Sequence, residues 1–305
     1  MGSDRYHYGT HWLMPLPGQN ASFERFKATL PEMRGELHRY LARMTGSVID
    51  GEDLLQDALL SAAIALKSGT EVQSLRPWLF RIAHNTALNF FRARKREAAM
   101  KHDLINLPPT LQADPSDRLP EALKPYLELS TIQRSIVILR DVLGYSTAEV
   151  AELTSSSETA VKSALHRGRK ELIRARESNE EVSKPLSNRQ AALLHEYARQ
   201  FNAHDFDRVR EMLSAEVRLE LVSVETRDGK ALVSGYFSNY ARQSDWHMVA
   251  GSLEERGAIL SFDPVKPDTG PSYAILLDIG EDGINHIRDF RYARYVIREA
   301  NWSVI

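Results

Sequence analysis

No cysteine occurs in the 305-residue chain. A disulfide framework, a thiolate zinc site, an iron–sulfur cluster and a cysteine nucleophile are therefore excluded. A chain without thiols suits a reducing compartment, and we read it as cytoplasmic. No apolar run approaches the roughly 18 residues that a membrane span needs, so no membrane partner is expected. Residues 1–20 lack the basic-then-apolar order of a secretory signal and read as a tail. Neither a glycine-rich phosphate loop nor a metal-ligand spacing is present, so no cofactor, metal or catalytic centre is assigned. A strong charge of one sign is lacking too, because the formal net charge is −2. That total hides two basic runs, within residues 92–96 and 162–176, set against an acidic excess after residue 185; local charge decides partners more than the sum does.

What is present is a soluble composition, 43% hydrophobic and 26% charged, long enough for two or three domains. Residues 21–97 read as helices. Phe23, Phe26, Leu30, Met33, Leu37, Tyr40, Leu41 and Met44 recur at three- and four-residue steps. Pro31 predicts a fresh helix start, and Gly46 and Ser47 predict a break. Asp50 then reads as an N-cap, with Asp53 three residues later. Pro77 stands at the start of a helix over 78–96 that buries Leu79, Ile82, Ala83, Thr86, Ala87 and Phe90. Pro108-Pro109 and Asp114-Pro115-Ser116 mark a linker over 98–117. A second helical domain over 118–178 carries helices at 118–127, 131–143, 146–153 and 158–176, and a polar linker follows over 179–186. From residue 187 the texture changes. Helices at 188–203 and 206–213 precede strand-like runs at 217–224, 246–253, 257–262, 273–278, 284–291 and 294–298, with a short helix over 233–242 between them. Helices followed by a run of strands predict an α+β domain. The fold class is thus multidomain: two all-α domains, then an α+β domain.

The segment 129–176 reads as two helices, a tight turn and a long basic helix, the shape of a helix-turn-helix, whose last helix enters the DNA major groove. Val161, Leu165, Leu172 and Ile173 form its inward stripe. Ser157, Glu158, Thr159, Lys162, Ser163, His166, Arg167 and Lys170 fall elsewhere. Short polar groups occupy the first turns, where base edges would be met. Lys162, Arg167, Arg169, Lys170, Arg174 and Arg176 crowd the rest, where phosphates would lie. The plain alternative is an amphipathic helix with a solvated basic face.

Within 132–176, QRSIVILRDVLGYSTAEVAEL followed by TAVKSALHRGRKEL resembles the promoter −35-binding domain of extracytoplasmic-function sigma factors. DGEDLLQDALLSA, over 50–62, resembles the helix with which their first domain grips RNA polymerase. LRPWLFRIAHNTALNFFRARKR, over 75–96, resembles their −10-reading segment. The resemblance implies a sigma factor that directs core RNA polymerase to promoter DNA. Asp50, Glu52, Asp53, Gln56 and Asp57 would face polymerase, whose largest and second-largest subunits are the expected partners. Arg76, Trp78, Arg81, His84, Asn85, Asn89 and Arg92 would hold the −10 strand, because unpaired bases need flat surfaces, hydrogen-bonding edges and a basic track. A flipped base would be captured by the loop over 71–76. The eight residues from Ser157 to Lys170 named above would read the −35 duplex. For the acidic helix the alternative is charge that complements a helix dipole; for Trp78 it is core packing. The chain also departs from the family pattern: Ala63 stands where a Trp is usual, and Asn89 where an Asp is common. Thr154-Ser155-Ser156-Ser157 replaces the usual Leu-Gly-(apolar)-Ser of the turn. A turn position needing positive φ without glycine costs about 1 kcal/mol.

Residues 187–305, with LLHEYARQFNAHDFDRVREMLSAEVRLEL and the closing strands, resemble the cone-shaped SnoaL-like, nuclear-transport-factor-two-like fold. A subset of the same family carries this domain as an extension, which implies regulation from within one chain. Tyr197, His204, Tyr236, Trp246, His247, Asp289 and Arg291 are the polar residues expected around a small-molecule pocket. A His–Asp pair there would suit acid/base work, although a packing and regulatory module is the plainer reading. Two further functions stay open at this point: a helix-turn-helix regulator that never joins polymerase, and small-molecule sensing or enzymatic activity in the last domain.

Overall fold

The helical periodicity of the first residues is realised as one long helix, α1 (Ala21–Thr45), in a computed structural model that describes residues 21–103, 123–177, 186–298 and 300–305. The tail over 1–20, most of the linker at 98–117, the start of the helix at 118–127 and all but the last residue of the linker at 179–186 lie outside the described residues. The described residues divide into two compact units, 21–177 and 186–305.

In the first unit α1 runs through Pro31 instead of restarting there. Leu30 and Met33 on either side of it, with Leu37, Tyr40, Leu41 and Met44, stay in the core. Burial of that face outweighs the roughly 3 kcal/mol that an interior proline costs. Gly46 ends the helix at φ +82°, and a side chain there would strike Leu127. Ser47, not Asp50, caps α2 (Val48–Lys67): its hydroxyl accepts from the amides of Ile49 and Asp50 at 3.2 and 3.1 Å. Ser47 is extended, as a cap must be, which leaves Asp50 inside the first turn. Helix α3 (Leu75–Asp103) has Pro77 in its first turn and continues beyond residue 96. After α4 (Lys124–Leu127) comes α5 (Thr131–Val137). The expected single helix over 131–143 changes pitch here, because Ile138–Val142 form a π-helical turn. Helix α6 (Thr147–Leu153) opens with a capping box between Ser146 and Glu149. The second helix of the helix-turn-helix, α7 (Glu158–Glu177), follows a turn in which Ser155 holds φ +50°.

The second unit begins with α8 (Asn188–Asn202) and α9 (Phe206–Glu211). Then come β1 (Leu213–Leu221), β2 (Glu225–Asp228), α10 (Lys230–Tyr240), β3 (His247–Leu253), β4 (Arg256–Phe262), β5 (Tyr273–Gly280), β6 (Gly283–Asp289) and β7 (Trp302–Val304). They form one sheet in the order β2-β1-β6-β5-β4-β3-β7. The β1–β6 pair is parallel and the others are antiparallel. This is the α+β layout expected. Val217, Leu219, Ile259, Ile275 and Ile287 supply one face of the sheet to a core shared with Leu194, Tyr197 and Phe201 of α8 and with Tyr236 and Phe237 of α10. Two details differ from expectation. The run at 294–298 is turn, not strand, and the edge strands β2 and β7 were not foreseen. Both are short, and β2 (Glu-Thr-Arg-Asp) has no apolar alternation to announce it.

The positive φ of Ser155 yields a test. Ser155→Gly should stabilise the protein by about 1 kcal/mol, since only the β-carbon opposes this conformation. Chemical denaturation of the two proteins side by side would check it; equal midpoints would show that the turn carries no strain.

Candidate nucleic-acid interface

On α2, Asp53 and Asp57 are exposed and share one face with Leu60 and Ile64, which are 50% and 57% exposed. The spacing 53, 57, 60, 64 follows a single helical stripe. The stripe is therefore acidic at one end and apolar at the other; the apolar end was not singled out from sequence. Partial burial raises the Asp57 carboxyl above its ordinary range. Asp50 and Gln56 are half-buried, and Asp50 lies 4.0 Å from Arg94. Glu52 departs from expectation. Fully buried, it pairs with Arg34 at 3.2 Å. It falls on the inner face with Val48, Leu55 and Leu59, so it holds α2 to α1 and presents nothing outward.

Helix α3 exposes Arg76, Arg81, Asn85, Asn89 and Arg92, and half-buries Trp78. Arg92 donates to Asn89 Oδ1 at 3.1 Å. Asn89, Arg92, Lys95 and Arg96 line an open cleft of about 670 Å³. A basic, amide-edged hollow of this kind suits a sugar-phosphate chain with unpaired bases. His84 also departs from expectation. It is buried, with Nδ1 2.9 Å from the Tyr40 hydroxyl and 3.1 Å from that of Ser135. The two hydroxyls are themselves 2.8 Å apart. His84 thus sits at the seam between α1, α3 and α5, away from any strand that α3 would hold. Arg76 and Arg81 are drawn into the same seam: Arg76 Nε donates to Tyr145 Oη at 2.9 Å, its Nη2 lies 3.0 Å from Glu36, and Arg81 lies 3.6 Å from Glu152.

Arg134, which sequence reasoning did not single out, completes the seam. Buried on α5, it donates to the carbonyls of Met44, Leu127 (2.9 Å) and Leu129 (3.1 Å), and its guanidinium lies 5.2 Å from the centre of the Phe91 ring. Burial lowers its pKa to about 10, which still leaves it charged at neutral pH.

The face of α7 is as expected over most of its length. Ser157 caps it by accepting from the Ala160 amide at 3.2 Å. Glu158, Thr159, Lys162, Ser163, His166, Arg167 and Lys170 are all exposed. Val161, Ala164 and Leu165 turn inward, and a β-carbon on Gly168 would stand 2.8 Å from Val137, so α5 and α7 approach closely there. Ile173 belongs to the outside, 60% exposed, and not to the inward stripe. Arg169 is tied down in a bidentate pair with Asp141 at 2.9 and 2.6 Å.

In the second unit Asp289 is fully buried. It accepts from Tyr236 at 3.0 Å, from Tyr240 at 2.8 Å and from the Arg291 amide at 2.8 Å. Burial raises its pKa. Tyr273 extends the network, 3.1 Å from Tyr240 and 2.7 Å from Arg291, and Arg291 also pairs with Asp245 at 2.7 Å. Tyr197 and Trp246 are buried beside these groups, with Phe201 5.5 Å from Tyr197 and 5.0 Å from Trp246 between ring centres. His247 and His204, in contrast, are exposed. The expected His–Asp pair is therefore not assembled, because the period-two alternation of β3 turns Met248 inward and His247 out.

Residues 32–97 match the family model described as Sigma-70 region 2, and residues 127–172 the one described as Sigma-70, region 4. The ECF RNA polymerase sigma factor SigG of Mycobacterium tuberculosis is 35% identical over 225 residues, covering 64% of this chain and 61% of that protein. The match thus spans less than two thirds of SigG. The RNA polymerase sigma factor YlaC of Bacillus subtilis is 32% identical over 147 residues, covering 45% of this chain and 83% of YlaC. Among solved structures, the extracytoplasmic function sigma factor SigJ of Mycobacterium tuberculosis is 17% identical, covers 86% of this chain and 95% of its own, and gives a TM-score of 0.35. The chain belongs to the extracytoplasmic-function family of RNA polymerase sigma factors.

The seam responds to pH in a definite direction. Burial lowers the pKa of His84 from its ordinary 6.5, so folding keeps the ring neutral while the unfolded chain takes up a proton near that value. Stability present above pH 6.5 is then lost as the pH falls below it. At pH 5.5 the loss from this group should reach at most about 1.4 kcal/mol. Thermal melts at pH 7.5 and 5.5 should show the drop in the wild type and a smaller one in His84→Gln; equal drops would show that His84 is not the group responsible.

Proposed function

We propose that this chain directs core RNA polymerase to promoters in the cytoplasm, with its C-terminal unit adjusting that activity. The exposed stripe Asp53–Asp57–Leu60–Ile64 of α2 is the polymerase-facing surface. Its acidic end would meet a basic helix of the largest subunit, and its apolar end would be covered on binding. The basic outer face of α3 from Arg76 to Arg96 holds the −10 strand, and the exposed first turns of α7 read the −35 duplex. The observation that carries this reading is the stripe on α2 followed, in order, by the basic amide-edged helix and the helix-turn-helix. A regulator acting without polymerase would leave that stripe unexplained.

Affinity capture with core polymerase is the direct test: the full chain should retain the enzyme, and Asp53→Lys/Asp57→Lys should weaken retention at least tenfold. Failure of the unaltered chain to retain polymerase would sink the proposal. For the −10 face, Lys95→Ala/Arg96→Ala should lower the salt dependence of single-strand binding by about 1.4 in log–log slope, two phosphate contacts at about 0.7 each. Truncation after residue 185 should change promoter output in one direction or the other; identical run-off transcription would remove the regulatory role of the C-terminal unit.

A further inference from the structure

The turn Thr154-Ser155-Ser156-Ser157 ahead of α7 holds four hydroxyls in a row, and one is set apart from the rest. Thr154 Oγ1 donates to the Val150 carbonyl at 2.7 Å, Ser156 Oγ donates to the Thr154 carbonyl at 3.3 Å, and Ser157 Oγ accepts from the Ala160 amide at 3.2 Å. The Ser155 hydroxyl is exposed and bonds to no described residue. Its backbone, by contrast, is fixed. The Ser155 amide donates to the Glu152 carbonyl at 3.3 Å and the Ser156 amide to that of Ala151 at 2.9 Å. These two bonds close the end of α6, and they require a left-handed residue at 155, where glycine is the usual choice. Ser155 takes φ +50° instead. A strained residue kept in place of an unstrained glycine implies a use for its side chain, and the side chain here offers a free hydroxyl.

We infer that Ser155 is a phosphorylation site, at which a serine kinase using a nucleoside triphosphate turns off the reading of the −35 duplex by α7. The inference rests on the role proposed for α7 above. In the transfer, Ser155 Oγ attacks the γ-phosphorus. The new O–P bond forms as the bond to the β-phosphate oxygen breaks, the nucleoside diphosphate leaves, and the hydroxyl proton passes to the general base of the kinase. Charge decides the consequence. A phosphoserine carries about −1.5 to −2 at pH 7. It would stand just ahead of the cap Ser157 and the exposed Glu158, close to the end of α7 that meets DNA. The Lys and Arg residues in the N-terminal half of α7 are Lys162 and Arg167, both exposed. The added charge is of the size needed to cancel these two, and neutralising DNA phosphates depends on such cations. Folding is spared, because negative charge near a helix N-terminus complements its dipole. The modification thus acts on DNA binding and leaves the helix-turn-helix intact.

The test uses the full chain, whose lack of cysteine makes the thiol of Ser155→Cys unique. Elimination of that thiol to dehydroalanine and addition of thiophosphate place a phosphate at residue 155; addition of 2-mercaptoethanol gives an uncharged control of similar size. Each form is combined with core polymerase and transcribes a library of fragments from the source genome. We expect the phosphate form to give at least about tenfold fewer transcripts than the control, since the charge of two cations is cancelled. Its retention of core polymerase should equal that of the control, and its melting temperature should not fall. Ser155→Gly should transcribe as the parent does. Equal output from the phosphate and control forms would overturn the inference alone. Loss of output in Ser155→Gly would overturn it as well, by assigning the hydroxyl to a direct contact with DNA. So would the absence of phosphate at residue 155 in chain isolated from its own cells during growth and starvation and analysed by mass spectrometry. No transcripts from the unaltered holoenzyme would remove the role of α7 and the inference together.

Discussion

The first unit depends on one buried cation. Arg134 reaches from α5 to the carbonyl of Met44 in the last turn of α1 and to those of Leu127 and Leu129 around the end of α4. Helix C-termini leave carbonyls without partners and carry partial negative charge. A guanidinium with five donors in a fixed fork can serve several of them at once, which an ammonium on a flexible stem cannot. Its removal would strand three carbonyls, at about 1–3 kcal/mol for each buried group left unsatisfied. The Phe91 ring beside it brings α3 into the same junction. Three elements, distant in the chain, are thus held by a side chain whose charge survives burial because its environment is built from carbonyl oxygens and an aromatic face.

Around that junction the polar contacts are graded. His84, Tyr40 and Ser135 form a closed set of short hydrogen bonds with nothing exposed. Further out, Arg76 and Arg81 engage Tyr145, Glu36 and Glu152 from half-exposed positions. Buried hydrogen bonds resist salt, whereas exposed pairs are screened within about 8 Å at physiological ionic strength. The outer contacts can therefore exchange partners without dismantling the inner ones. An interface arranged this way can yield its rim to a competing ligand while each helix stays folded.

Periodicity made the long helices legible, and the texture after residue 187 made the α+β unit legible. Helical phase also places Glu52. Glu52 is four residues after Val48 and three before Leu55, a phase that places it on the inner face whatever its charge. Polar residues there must find a partner, and Arg34, 18 residues away, is that partner. The roles of His84 and Arg134 could not be found in this way. His84 meets hydroxyls 44 and 51 residues away, and Arg134 reaches a carbonyl 90 residues away besides two nearby, and no local pattern encodes which distant group will arrive. The inward and outward faces of α7 were legible because its capping residue and its apolar spacing agree. Its end was not: Ile173, next to the stripe residue Leu172, is exposed, whereas Ala175 two residues on is buried. In the second unit, alternation on β3 turns Met248 inward and His247 outward, while Asp289, at the end of β6, is buried.

The net charge of −2 also becomes intelligible through position. Arg34 and Arg134 serve as structural pins, largely buried and held by a carboxylate or carbonyls of their own unit. Lys95, Arg96, Lys162, Arg167 and Lys170 lie exposed on α3 and α7. Only the second group can release counterions from a nucleic acid, so the salt dependence of binding counts it and not the total. Replacing a pin would alter the fold and leave that dependence nearly unchanged; replacing an exposed cation would do the reverse. The same residue type thus answers to two different physical laws along one chain, and burial with a fixed acceptor is what assigns each arginine to one or the other.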